Sequence, residues 1–142
     1  MKVTFSMVGI LLVSLTLSGC MFFRADEGKI LRPYGSALTK LSSEMESLVR
    51  YQNPPADATD EELLRLATKN DPGFLDTFHG YKIRVHSQDR HAILLLCSAD
   101  GKRGLQEDLG CTPSLDRNLW KEDAAMPCDF SLSVELGCRL TK

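Results

Sequence analysis

Cys128 and Cys138 bracket the stretch PCDFSLSVELGC, and the residues between them alternate in polarity. Cys128, Phe130, Leu132, Val134, Leu136 and Cys138 share one side of an extended chain, while Asp129, Ser131, Ser133, Glu135 and Gly137 share the other. This pattern predicts a half-buried strand with both cysteines on its apolar face. A strand rises about 3.3 Å per residue, so the two Cα atoms would lie roughly 33 Å apart. A disulfide needs them within about 4.4–6.8 Å. In an oxidising compartment each must therefore pair with Cys97 or Cys111, unless a kink at Ser131–Ser133 folds the segment back and lets Cys128 meet Cys138. Two connectivities remain. The favoured one joins Cys97 to Cys138 and Cys111 to Cys128, which closes the segment around Trp120 into a loop and staples a central strand to the last one. The other joins Cys97 to Cys128 and Cys111 to Cys138.

The opposite end of the chain bears on the compartment. MKVTFSMVGILLVSLTLSGC carries a short positive start at Lys2 and a mostly apolar run from Val3 to Leu17, then stops at small residues. That is the layout of a secretory signal peptide, too short and too abruptly ended for a membrane span. Leu17-Ser18-Gly19-Cys20 resembles the lipobox of bacterial lipoproteins. The resemblance covers the first 20 residues. It implies that the Cys20 thiol receives a diacylglyceryl group, that the chain is cut before Cys20, and that the new amino terminus is acylated. One acyl chain holds a protein to a bilayer only marginally, whereas three chains on one residue anchor it durably. An Asp after the lipidated cysteine resembles an inner-membrane retention signal. Met21 stands there instead, so the expected address is the outer membrane, with the body facing the periplasm.

Composition narrows the class. The sequence holds 17 basic and 19 acidic residues, and losing Lys2 with residues 1–19 leaves 16 against 19, or −3. The charges are mixed, without a long basic run, which argues against a nucleic-acid partner. An apolar content of 43% with 25% charged residues suits a folded globule. With Cys20 lipidated, Cys97, Cys111, Cys128 and Cys138 form an even set, read as two disulfides. No C-x₂-C pair exists and His79, His86 and His91 lack zinc-site spacing to these cysteines, so no metal or other cofactor is expected.

Residues 20–34 read as a lipidated tether, since Gly28, Pro33 and Gly35 interrupt any period, and residues 35–142 read as one domain. Leu38, Leu41, Met45 and Leu48 form a one-sided helical stripe, with Ser36 as its N-cap and Asn53-Pro54-Pro55 as its stop. Thr59 and Glu62 have capping-box spacing at the start of a second helix. Asp71-Pro72 opens a short third one, buried through Phe74, Leu75 and Phe78 and ended by Gly80. The period then changes to two. YKIRVH is a strand, SQDR a turn, and HAILLLCS a strand apolar on both faces and hence central. LQEDLG is ambiguous between strand and helical turn. The expected class is α+β: N-terminal helices packed on a small antiparallel sheet of three or four strands, stapled by disulfides.

Few residues advertise chemistry. His86 and His91 flank a turn with Asp89 between them, more in the manner of a solvated hairpin end than of a metal site. CSADGKRGLQE mimics part of a calcium loop through Asp100, Gly101 and Glu107 but lacks the other oxygen ligands. There is no G-x-S-x-G and no spare thiol for nucleophilic catalysis. Trp120, the sole tryptophan, sits beside Asp116, Arg117 and Lys121. Its indole either anchors a loop to the core, the reading favoured, or forms a partner-binding hot spot with Asp116 and Arg117. The functional expectation is a non-enzymatic, lipid-anchored binding protein with a protein partner in the cell envelope. By analogy of size and anchor, its specific form is a toxin-neutralising immunity lipoprotein. The alternatives are an accessory subunit of an envelope secretion or assembly machine, and a small envelope hydrolase.

Overall fold

The computed structural model describes residues 23–122 and 124–138, with side chains from Leu31 onward. Helix α1 spans Phe23–Tyr51 and α2 spans Asp60–Ala67, followed by a 3-10 helix at Pro72–Phe78. Strands β1 (Lys82–Gln88), β2 (His91–Cys97) and β3 (Gly104–Leu109) form one antiparallel sheet in that order. A 3-10 turn at Leu119–Lys121 and a single helical turn, α3 (Val134–Gly137), complete the chain. The structure is thus α+β, helices on a three-stranded antiparallel sheet with two disulfides. No helix among the described residues is long and apolar enough to cross a membrane.

The first helix begins earlier than the expected start at Ser36. Residues 23–34 are helical and continue through Pro33 without a break, so Ser36 lies inside α1 rather than capping it. Proline removes one helical hydrogen bond and crowds the preceding turn. Packing offsets this, because the apolar stripe extends back across the proline: Leu31, Tyr34, Leu38, Leu41, Met45 and Leu48 recur at steps of three and four. Leu31 is buried, and Tyr34 packs edge-on against Tyr81 with ring centroids 5.1 Å apart. The capping box of α2 forms as expected, with Thr59 N donating to Glu62 Oε2 at 2.9 Å and Glu62 N donating to Thr59 Oγ1 at 3.3 Å.

Strand β2 divides the core. Ala92, Leu94 and Leu96 pack under α1 and α2, with Leu38, Leu41, Met45, Leu63, Leu64 and Phe78. Ile93, Leu95 and Cys97 face the other way, toward Leu119, Phe130, Val134 and Cys138. Fully burying one such aliphatic side chain contributes about 1.5–3 kcal/mol. The β1–β2 hairpin turns at Asp89 and Arg90, both with positive φ (52° and 67°), as a tight two-residue turn requires. The Arg90 guanidinium donates to the Arg50 carbonyl near the end of α1, fastening the turn to the helix.

The second layer departs from expectation. The alternating stretch after Pro127 is not a fourth strand but coil ending in α3. The free edge of β3 is already occupied, since Arg117 bridges to Glu107 and Pro127 bridges to Arg103. The final segment therefore crosses the face of the sheet. Phe130 and Leu132 face inward in part and Val134 is buried, but Leu136 is 75% exposed where the helical turn breaks the alternation. The disulfides are Cys97–Cys128 and Cys111–Cys138, each with Cα atoms 5.7 Å apart, and not the favoured pairing. That pairing assumed the last segment ends on the Cys97 side of the sheet. The bridge at Pro127 instead starts it there, next to Cys97, and the chain then runs across the sheet to Cys111 at the far end of β3.

Gly110, just after β3, lies close against α1. A Cβ built there would lie 2.5 Å from the Ser42 carbonyl oxygen and 2.6 Å from Glu46 Cβ. Gly110→Ala is expected to destabilise the fold by about 1–3 kcal/mol, as overpacking does, measured as a lowered urea midpoint. Non-reducing peptide mapping should return Cys97–Cys128 and Cys111–Cys138 cross-links. Replacing Cys111 and Cys138 together by alanine should remove about 2–4 kcal/mol.

Candidate functional site: a cationic cleft beside Trp120

One flank of α1 carries a polar stripe next to its buried one. Arg32, Ser36, Thr39, Lys40 and Ser43 line a cleft of about 710 Å³, whose opposite wall is the chain from Thr112 to Lys121. Gln106 of β3 and Leu115 also line it. The wall is fixed to the sheet by a network of hydrogen bonds. Asp116 N donates to Asp108 Oδ1 at 3.0 Å, and Asp116 Oδ2 accepts from Leu109 N at 2.9 Å and Thr112 Oγ1 at 2.7 Å. The backbones of Arg117 and Glu107 exchange two bonds of 2.9 Å.

Trp120 stands half-buried on this wall. Its neighbour Leu119 is the anchor, 1% exposed and packed with Leu95 and Cys97. The Trp120 indole lines the cleft, with Lys121 Nζ 5.7 Å from its ring centroid. Asp116 and Arg117, named with Trp120 as binding candidates, engage the chain itself. Besides the bonds of Asp116 above, Arg117 Nε donates to Glu122 Oε1 at 2.8 Å and its Nη1 to Ser131 Oγ at 2.9 Å. The Glu122 carboxylate holds the Arg117 guanidinium above its ordinary pKa.

Two amides lining the cleft are incompletely satisfied. Gln106, fully buried, donates from Nε2 to the Leu31 carbonyl at 2.9 Å, which fixes its orientation, and its Oε1 has no partner. Asn118 Oδ1 is likewise buried and unpartnered. Sequence spacing could not assemble this set, because α1 lies far in the chain from residues 106–121. Besides Trp120, the local signal is the run Ser36, Thr39, Lys40, Ser43 beside the apolar stripe.

Elsewhere, buried carboxylates serve the fold. Glu46 Oε1 lies 2.7 Å from His91 Nδ1 and 2.9 Å from Arg50 Nη2, while Oε2 accepts from Ala92 N at 2.8 Å. A ring nitrogen of His91 and the sulfurs of Cys111 and Cys138 lie within 4.8 Å of one another, but both sulfurs are bound in a disulfide and are not thiolate ligands. His86 instead contacts the Phe130 ring, with centroids 5.5 Å apart. Glu107, the last oxygen of the mimicked calcium loop, accepts from Ser131 N, Leu132 N and Ser131 Oγ. Cys20 lies outside the described residues.

Among the described residues the cleft lining includes no histidine and no cysteine, and one carboxylate, Glu44. It offers positive charge, hydrogen bonds and an aromatic face, which is equipment for binding. Comparisons with protein-family models, curated proteins and solved structures find no match to this chain.

Asp108 sits between α1 and the cleft wall, accepting from Ser42 Oγ as well as Asp116 N. Burial, and secondarily the Asp116 carboxylate, pushes its pKa up from 3.8 to about 7, against the hydrogen bonds from Ser42 and the Asp116 amide. Between these values the folded chain keeps a proton that the unfolded chain has lost. Stability from this group therefore rises as pH falls from about 7 toward 4, by up to about 1.4 kcal/mol per pH unit. Asp108→Asn should remove that slope and exceed the parent in stability near pH 8, read from urea unfolding across this range.

Proposed function

We propose that this chain is a lipid-anchored protein of the outer membrane, facing the periplasm, that binds a partner and catalyses no reaction. Its specific form in this reading is an immunity lipoprotein that neutralises an envelope toxin. The supporting observation is an account of the cysteines. The sequence has five, and Cys97–Cys128 and Cys111–Cys138 use four. The fifth is Cys20, in Leu17-Ser18-Gly19-Cys20. Paired disulfides are the habit of exported proteins, and a cysteine left over at the end of a signal-like run is the one a lipid would occupy.

The build of the domain suits a binding role. The cleft's Thr112–Lys121 wall is held to β3 by the hydrogen bonds of Asp116 and Arg117. A preformed surface loses less entropy on association than a mobile one.

Palmitate labelling of producing cells should mark the protein, and Cys20→Ser should abolish the label and release the chain from the membrane fraction. An unlabelled chain, or a variant that still sediments with membranes, would sink the anchor. Pull-down in mild detergent should recover one stoichiometric envelope protein, and its loss of toxicity on mixing would support the immunity form.

A further inference from the structure

The cleft beside Trp120 asks for a ligand of particular chemistry, and we infer that it binds a carboxylate-bearing oligosaccharide. This goes beyond the partner-binding reading above and stands on the cleft alone.

Three features converge. First, the exposed side chains of Ser36, Ser43 and Ser114 line the cleft with hydroxyl groups, which can accept hydrogen bonds from a ligand's hydroxyls. Second, Arg32, Lys40 and Lys121 outnumber Glu44 along the lining, so the cleft favours an anion. Lys40 is engaged in part by Asp71 at 3.8 Å, which leaves Arg32 and Lys121 as the main charges for a ligand. Third, the Trp120 indole lines the cleft beside these groups, with the Lys121 ammonium over its ring. A sugar acid carries hydroxyl donors, a carboxylate and an apolar C–H face in one unit. A fatty acid lacks the donors, a bare anion lacks the face, and a basic peptide meets like charge.

Length and backbone chemistry favour a glycan over an acidic peptide. Arg32 to Glu44 covers about 18 Å of helix at 1.5 Å per residue, room for three or four pyranose rings. Extended peptides dock best on free strand edges, where backbone pairs with backbone. Here one wall is a helix, whose backbone is satisfied internally, and the other is already bonded to β3. A peptide backbone would find mostly side chains to pair with, whereas sugar hydroxyls pair with side chains by nature.

Trp120 is the chain's sole tryptophan, so its emission reports on the cleft. Full-length protein in mild detergent is titrated at low ionic strength with trigalacturonic acid, with maltotriose as the neutral control and acetate at matched carboxylate concentration. A saturable change with trigalacturonic acid is expected, about tenfold weaker or absent with either control. Added salt should weaken it, and so should Arg32→Ala combined with Lys121→Ala, exposed positions whose loss leaves the circular dichroism unchanged. Asn118→Asp, which sets a like charge beside the ligand, should weaken it further. The inference is overturned by no saturable response up to about 10 mM, by equal binding of maltotriose or acetate, or by an unchanged titration in the double variant. None of these outcomes bears on palmitate labelling at Cys20, so this inference and the anchor fail separately.

Discussion

Strand β2 is apolar on both faces, and a strand of that kind is stable only between two covers. The N-terminal half of the chain supplies the first, through the three-four stripe of α1 and the buried leucines of α2. The second cover is made of coil, which cannot satisfy its own backbone as a helix or sheet does. Side chains and covalent bonds take over. Glu107, buried on β3, accepts from two backbone amides and a hydroxyl of the Ser131–Leu132 segment. Arg84 donates to the Cys128 carbonyl from β1. The disulfides then hold the coil at both ends of the β2–β3 pair.

This division explains what the sequence makes legible. The first cover is regular, so periodicity revealed it: the stripe from Leu38 to Leu48, the capping box at Thr59, the β1–β2 hairpin. The error at its start came from weighting Pro33 over the stripe that continues to Leu31 and Tyr34, where tertiary burial outweighs one lost hydrogen bond. The second cover follows no period of its own. The alternation from Cys128 to Cys138 is real and Val134 and Cys138 do face inward, but it records packing onto a sheet face rather than membership of the sheet. What decides between the two is whether β3 has a free edge, and residues 117 and 127 occupy it. LQEDLG was ambiguous because Gln106, Glu107 and Asp108 are polar yet fully buried, each answered by a group distant in sequence.

The candidate site divides in the same way. Trp120 was conspicuous as a lone aromatic among charges, and the structure leaves it lining a cleft. Asp116 and Arg117 looked equally available, but their side chains hold the wall together. Arg32 and Gln106, which complete the cleft, carry no local mark, because their association follows from α1 crossing β3.

The two bridges are interleaved along the chain: 97 pairs with 128 across 111, and 111 pairs with 138 across 128. A single cut between 111 and 128 would leave the fragments joined twice. A cut between 97 and 111, or between 128 and 138, would leave them joined once. The part of the molecule least protected by regular structure is therefore the part that one proteolytic nick cannot release.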